Sequence, residues 1–226
     1  MVAIAQPELY RNFGVHLLVM APAGALMAYI ASRIDRVLGW SPLVAWPWSL
    51  LPGLSLILAG GLWVWYVYGY LFLSGRGSPG SHVDGGPTVL VDTGPYTMLR
   101  HPSVLGKVAG VLGLAMLFGS KVFLVAFLPL LVTYSLLTNR YLQERACDAR
   151  FGASYARYRE LVPMIVPRPA GLWRWLRDEG ALGEAAPASG PSPRIAFIEL
   201  RWYLVGLGCL IAFFAVVFWA VVAFTP

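Results

Sequence analysis

Apolar positions in this chain gather into long unbroken runs instead of alternating or recurring on one helical face. Five runs stand out, at 14–32, 47–73, 103–118, 121–138 and 202–224. A bilayer core about 30 Å thick asks for about 20 apolar residues per helix, so each run predicts a membrane-spanning helix. The third is short and needs help from its flanks to span. Only "GSK" (119–121) separates it from the fourth, which predicts an antiparallel helical hairpin. Polar residues collect at 74–102, 139–168 and 179–193. The last of these, "EGALGEAAPASGPSP", has the Gly, Ala, Pro and Ser content of a flexible linker.

Composition sharpens this picture. Of 226 residues, 58% are hydrophobic and 12% charged, with mean hydropathy +0.66, whereas soluble domains are about half apolar and a quarter charged. The expectation is an all-α, polytopic integral membrane protein with about five transmembrane helices. The first run lacks a compact basic start and a clear cleavage site, so it does not read as a signal peptide. Two cysteines, Cys147 and Cys209, are too few for a disulfide framework or a zinc site, and no metal is expected. Ten of the seventeen Lys and Arg residues lie between Arg140 and Arg201. They flank apolar runs, so the +6 net charge suits a cytoplasmic leaflet and excludes a nucleic-acid partner.

With 139–201 inside, 74–102 and the N-terminus are cytoplasmic too, while the "GSK" turn and the C-terminus face outward. Arg33 and Arg36, beside Asp35, are a mild exception. The chain divides into two N-terminal membrane helices (1–74), a core of loop, hairpin and cytoplasmic helix (75–168), and a linker with a final membrane helix (169–226).

Both polar stretches of the core thus share one side of the membrane. Seven glycines or prolines precede Val89 from Gly75 onward, which predicts loop, with "TVLV" (88–91) as a short extended piece. Pro102 turns His101 from helical geometry and suits a first helical position. Arg100 and His101 then stand at a helix N-terminus, where unpaired N–H groups and the helix dipole favour an anion. The plainer alternative is an arginine snorkelling to lipid phosphate beside a capping histidine. His16 and His82 take only plain readings. Gly106, Gly110 and Gly113 leave one helix face nearly bare, for close helix packing or for a flat ligand.

After the fourth run, Arg140, Glu144 and Asp148 are spaced to share a helix face, with Gln143 adjoining. Phe151-Gly152 breaks that helix, Tyr155 and Tyr158 follow on another, and Pro163 and Pro167 end it. A solvated, salt-bridged helix is one reading. Another is a carboxylate placed to bond a ribose or amine, with aromatic rings near a sulfonium or ammonium.

"GPYTMLRHPSVLG" (94–106), a hairpin, then "QERACDARFGASYARYRELVPMIVP" (143–167) resembles the isoprenylcysteine carboxyl methyltransferase and phospholipid methyltransferase superfamily, across residues 75–168. The resemblance implies S-adenosyl-L-methionine as methyl donor, bound at the cytoplasmic face. It implies cofactor contacts from Tyr96, Arg100, His101, Pro102, Gly106, Gly110, Gly113, Gln143, Glu144, Tyr155 and Tyr158. Arg100, His101 and Glu144 are the implied catalytic candidates: the first two for the cofactor carboxylate, Glu144 for a polar group such as the ribose. Gln143 replaces the family's first glutamate, Val104 a tyrosine and Cys147 a leucine, and these departures bear on the acceptor more than on the cofactor.

The expected acceptor is a lipid or other lipophilic molecule from the bilayer: an isoprenylcysteine-type carboxylate, a phospholipid amine or a small lipophilic compound. A nicotinamide-dependent reductase of the sterol-reductase type is the alternative enzyme, weakened by the absence of a basic cluster for a 2′-phosphate. A non-catalytic membrane scaffold is the other alternative.

Overall fold

The computed structural model describes residues 13–75, 89–177 and 179–182. The fifth apolar run, His82, Cys209 and residues 183–193 lie outside them. Among the described residues every regular element is helical. These are α1 (Phe13–Val37), α2 (Leu50–Gly75), α3 (Ser103–Leu117), α4 (Lys121–Thr138), α5 (Glu144–Phe151), α6 (Ala153–Leu161) and α7 (Pro169–Leu176). A 3-10 turn at Gly94–Thr97 and a π turn at Asn139–Gln143 complete the set. Residues 89–91 form no strand, so the expected extended piece is irregular backbone.

Two helical stretches are long and apolar enough to cross a membrane, Leu50–Leu71 and Lys121–Phe151, while Ser103–Leu117 is apolar but shorter. The second stretch carries α4 through the π turn into α5 without a break, 31 residues in all. At 1.5 Å per residue that is about 46 Å, against about 30 Å of hydrocarbon. That length exceeds a hydrocarbon core, and the polar C-terminal part of the stretch carries Glu144.

The described residues pack as two units, 13–58 with 109–129, and 59–108 with 130–182. In the first, Ala28 and Ala31 are buried against Ala115 and Phe123, and Phe123 stacks on Phe127 at 4.5 Å. Asp35 is buried near the end of α1. Its carboxylate accepts the Ser120 hydroxyl at 2.6 Å and the Val122 N–H at 3.1 Å. The Ser120 oxygen accepts the Phe123 N–H at 3.0 Å. An acid and a hydroxyl thus satisfy the first amides of α4, at the positive end of its dipole. This is why charge is tolerated where α1 outruns its apolar stretch.

In the second unit, α3 lies directly on α2. A Cβ added to Gly106 would come within 2.5 Å of the Gly60 carbonyl oxygen and 2.6 Å of the Val64 side chain. The Trp63 Nε1–H donates to the Pro102 carbonyl at 2.7 Å, fixing the start of α3. Helix α7 docks by Gly171, whose Cβ would lie 2.6 Å from the Thr97 carbonyl oxygen. Trp175 meets Trp63 edge-on, ring centres 5.5 Å apart.

One expectation needs correction here. Residues 179–182 are not linker. Ala181 N–H donates to the Asp92 carbonyl at 2.8 Å and Leu182 N–H to the Asp92 carboxylate at 3.1 Å. Ala181 is buried with Tyr155, Tyr158 and Val162. Small side chains and free backbone donors, which suggest flexibility in isolation, fit a narrow slot with acceptors waiting.

Candidate active site

The site grows from the turn before α3. Gly94 has φ +57°, a left-handed conformation that glycine adopts without strain. A Cβ there would run into the Tyr70 ring. Pro95 opens the 3-10 turn, and the Tyr96 ring stacks on Tyr70 at 6.5 Å. The Tyr70 and Thr93 hydroxyls are 2.8 Å apart. The Tyr158 hydroxyl donates to the Tyr96 carbonyl at 2.7 Å, clipping α6 to this turn. Arg100 N–H donates to the Pro163 carbonyl at 2.9 Å and His101 N–H to the Met164 carbonyl at 3.2 Å. Two polar stretches far apart in sequence therefore form one cradle.

The helix start itself contributes less than its sequence suggests. Val104 N–H and Leu105 N–H already donate to the carbonyls of His101 and Pro102, both at 3.2 Å. Attraction for an anion here rests chiefly on side chains.

Those side chains converge on Glu144. Arg100 Nη2 lies 3.2 Å from Glu144 Oε1 and His101 Nε2 3.6 Å from the same oxygen. Arg140 Nη1 donates to Oε2 at 3.2 Å from one helical turn away. The Glu144 side chain is 2% exposed, Arg100 9% and His101 10%. The π turn places Glu144, whose N–H reaches back to the Asn139 carbonyl. One extra residue in that turn rotates the following helix by about 100° relative to an unbroken α-helix. Asp148, on the same face, pairs instead with Arg159 at 2.9 Å.

The cluster is only partly satisfied. Arg100 Nε and Nη1, His101 Nε2 and Glu144 Oε1 are buried with no aligned hydrogen-bond partner. Burial pushes the His101 imidazole below its ordinary 6.5, and Glu144 offsets this in part, so it is neutral at pH 7. Burial also raises the Tyr96, Tyr155 and Tyr158 phenols. They stay protonated and offer rings and hydroxyls, not bases.

A cavity opens beside the cluster. Tyr96, Arg100, His101, Pro102 and Ser103 line one wall, and Gln143, Cys147, Phe151, Tyr155 and Tyr158 another. Of the residues singled out from sequence, Glu144 is buried behind Arg100 and His101 and does not itself line the cavity, and Gly106 and Gly113 are elsewhere. Both press on α2, Gly113 with its Cβ position 2.7 Å from the Gly53 carbonyl oxygen. Gly110 has open space around its Cβ position but does not line the cavity. Val104 is packed in the interior, whereas Cys147 and Gln143, the other two departures from the family pattern, face the cavity.

Sequence reading missed Tyr68 and Leu71, which line the cavity from α2. The aromatic run "WVWYVYGY" (63–70) carried a signal for them, because tyrosines cluster where a membrane helix leaves the bilayer. Spacing alone makes Arg140 a face partner of Glu144; in the structure it holds the second carboxylate oxygen.

Residues 48–145 match the family model described as phospholipid methyltransferase. The resemblance to the isoprenylcysteine carboxyl methyltransferase and phospholipid methyltransferase superfamily is thereby borne out for this segment. No curated protein and no solved structure gives a significant match to the chain. The matched segment includes α2, which the motif resemblance left outside, and stops short of Phe151, Tyr155 and Tyr158. The match lends no support to the reductase alternative.

Proposed function

We propose that this chain, with a phospholipid methyltransferase segment at its centre, is an S-adenosylmethionine-dependent membrane methyltransferase acting on a lipophilic acceptor. The observation that supports the reading best is the half-satisfied Arg100–Glu144 cluster beside a cavity that Arg100 and His101 line together with residues of both motifs. Two guanidiniums, Arg100 and Arg140, face one carboxylate, and with His101 neutral the cluster has one positive charge in excess. A ligand carboxylate restores balance and pairs with the orphan Nε and Nη1 of Arg100, bonds stronger than neutral ones. Glu144 Oε1, ion-paired with Arg100 but without an aligned hydrogen bond, would accept one from a ribose hydroxyl or an amine. These residues therefore fit S-adenosylmethionine.

When bound, that cofactor supplies an electrophilic methyl carbon on a sulfonium. The chain's own part is positioning, charge balance and exclusion of water. Arg100 and Glu144 orient the donor, and the protonated tyrosines present ring faces that attract a cation. An acceptor carboxylate needs no base. An amine or thiol must give up a proton, and the neutral His101 is placed to take it. In this reading the chain crosses the membrane several times, five by the apolar runs. The site faces the cytoplasm, and the acceptor arrives from the bilayer.

Calorimetric titration of the detergent-purified protein with S-adenosylhomocysteine and with NADPH tests the proposal. Binding of S-adenosylhomocysteine alone, weakened at least tenfold by Arg100→Ala, is the expected result. Binding of NADPH alone returns the reductase reading, and binding of neither leaves a scaffold.

A further inference from the structure

We propose that α7 is an interfacial helix whose outward side is seated in the headgroup–acyl boundary of the bilayer. The inference stands on the membrane character of the chain and not on its chemistry.

In α7 (Pro169–Leu176) successive side chains step round the axis by about 100°. Gly171 and Trp175 share the docked side, one against Thr97 and the other against Trp63. Leu172, Trp173 and Leu176 fall on the other side and are 42%, 59% and 66% exposed, with Val166 just upstream at 76%. Burying the exposed part of such side chains is favourable, which water withholds and a bilayer supplies.

The occupant is identified by what α7 rests on. Trp63 belongs to Leu50–Leu71, one of the two membrane-length helices. A helix docked on the flank of a span turns its outer side to whatever surrounds that span, which is lipid. The boundary, not the hydrocarbon centre, is the depth that suits its composition. Arg168 and Arg177 are exposed at its two ends, and Arg177 lies over the Trp173 ring at 5.3 Å. Glu179 approaches Arg177 only at 3.9 Å. Leucine and tryptophan along one side with arginines at both ends is an arrangement suited to helices lying in the interface plane. The irregular backbone on either side of α7 also needs the water and headgroups found there.

The test uses full-length protein with Cys147→Ala and Cys209→Ala, carrying Trp173→Cys or Leu176→Cys labelled with bimane. The protein is reconstituted in vesicles of phosphatidylcholine and phosphatidylglycerol. Ser154→Cys, on the exposed side of α6, is the aqueous reference. Labels at 173 and 176 should be quenched at least threefold more by lipid bearing a nitroxide at acyl carbon 5 than by iodide, with the reverse at 154. Quenching of 173 and 176 by iodide as at 154 would place the face in water and overturn the proposal. Protection from both quenchers would overturn it equally, by showing protein over that face.

Discussion

Arg100 and Glu144 hold opposite charges in nearly dry surroundings, and neither is tolerable there without the other. Removing one buried partner costs about 3–5 kcal/mol because the survivor is left uncompensated. Glu144→Ala should therefore lower the thermal midpoint in detergent, and Glu144→Gln should do so less. The kinetic readout separates roles. If Glu144 orients the cofactor, both variants raise the apparent KM for S-adenosylmethionine, alanine more than glutamine. A collapse of kcat in Glu144→Gln with KM unchanged would instead make the residue a base.

His101 adds a pH dependence at the same scale. Its folded-state pKa lies below 6.5, so above 6.5 neither folded nor unfolded chain carries the proton and its contribution to stability is intact. As pH falls below 6.5 the unfolded chain protonates first, and stability drops toward the lower folded pKa. Thermal midpoints measured from pH 7.5 to 5 should decline, and His101→Gln should flatten part of that decline.

At the scale of elements, three glycines that look alike in sequence part company. Gly106 and Gly113 let α3 touch the α2 backbone, while Gly110 borders open space. Gly106→Ala should destabilise by about 1–3 kcal/mol, because the added carbon meets a carbonyl that cannot move without bending α2. Gly110→Ala should be neutral or stabilising by up to about 1 kcal/mol, from helix propensity alone. Melting curves of the two variants check this directly. A tenfold loss of S-adenosylhomocysteine binding in Gly110→Ala, with stability kept, would assign that glycine to the ligand after all. The cap on α4 offers a companion case. Asp35→Ala removes two hydrogen bonds to the α4 start and should cost about 1–2 kcal/mol, whereas Asp35→Asn should retain much of this.

For the whole molecule, the segment after α7 decides where the functional unit ends. Ala181 sits among Tyr155, Tyr158 and Val162, and Tyr158 in turn holds the turn that carries Tyr96. Ala181→Arg should thus weaken S-adenosylhomocysteine binding at least tenfold and lower the thermal midpoint. Deletion of six residues within 184–192 should leave binding unchanged. Equal, small effects of both changes would return 179–182 to the linker.

How much of this could be read from the chain depends on the range of the interactions involved. Long apolar runs locate helices by themselves, because hydrophobic length is a local sum; α3 and α4 begin and end within a residue of expectation, though only two described stretches reach membrane length. Proline and glycine placement likewise located the turn before α3 and the break at Gly152, since backbone restriction acts within a residue or two. Spacing put Arg140 on the face of Glu144, again a single turn of helix. Tertiary structure alone decided that Arg100, His101 and Glu144 form one cluster, that Gly106 serves α2, and that Ala181 closes the core. The first two depend on partners 42–46 residues away in the chain, and Ala181 on partners 19–26 residues away. Nothing local distinguishes an arginine whose carboxylate waits on another helix from one that reaches for lipid. Only the packed neighbour, with its charge, its carbonyl or its empty slot, makes that choice.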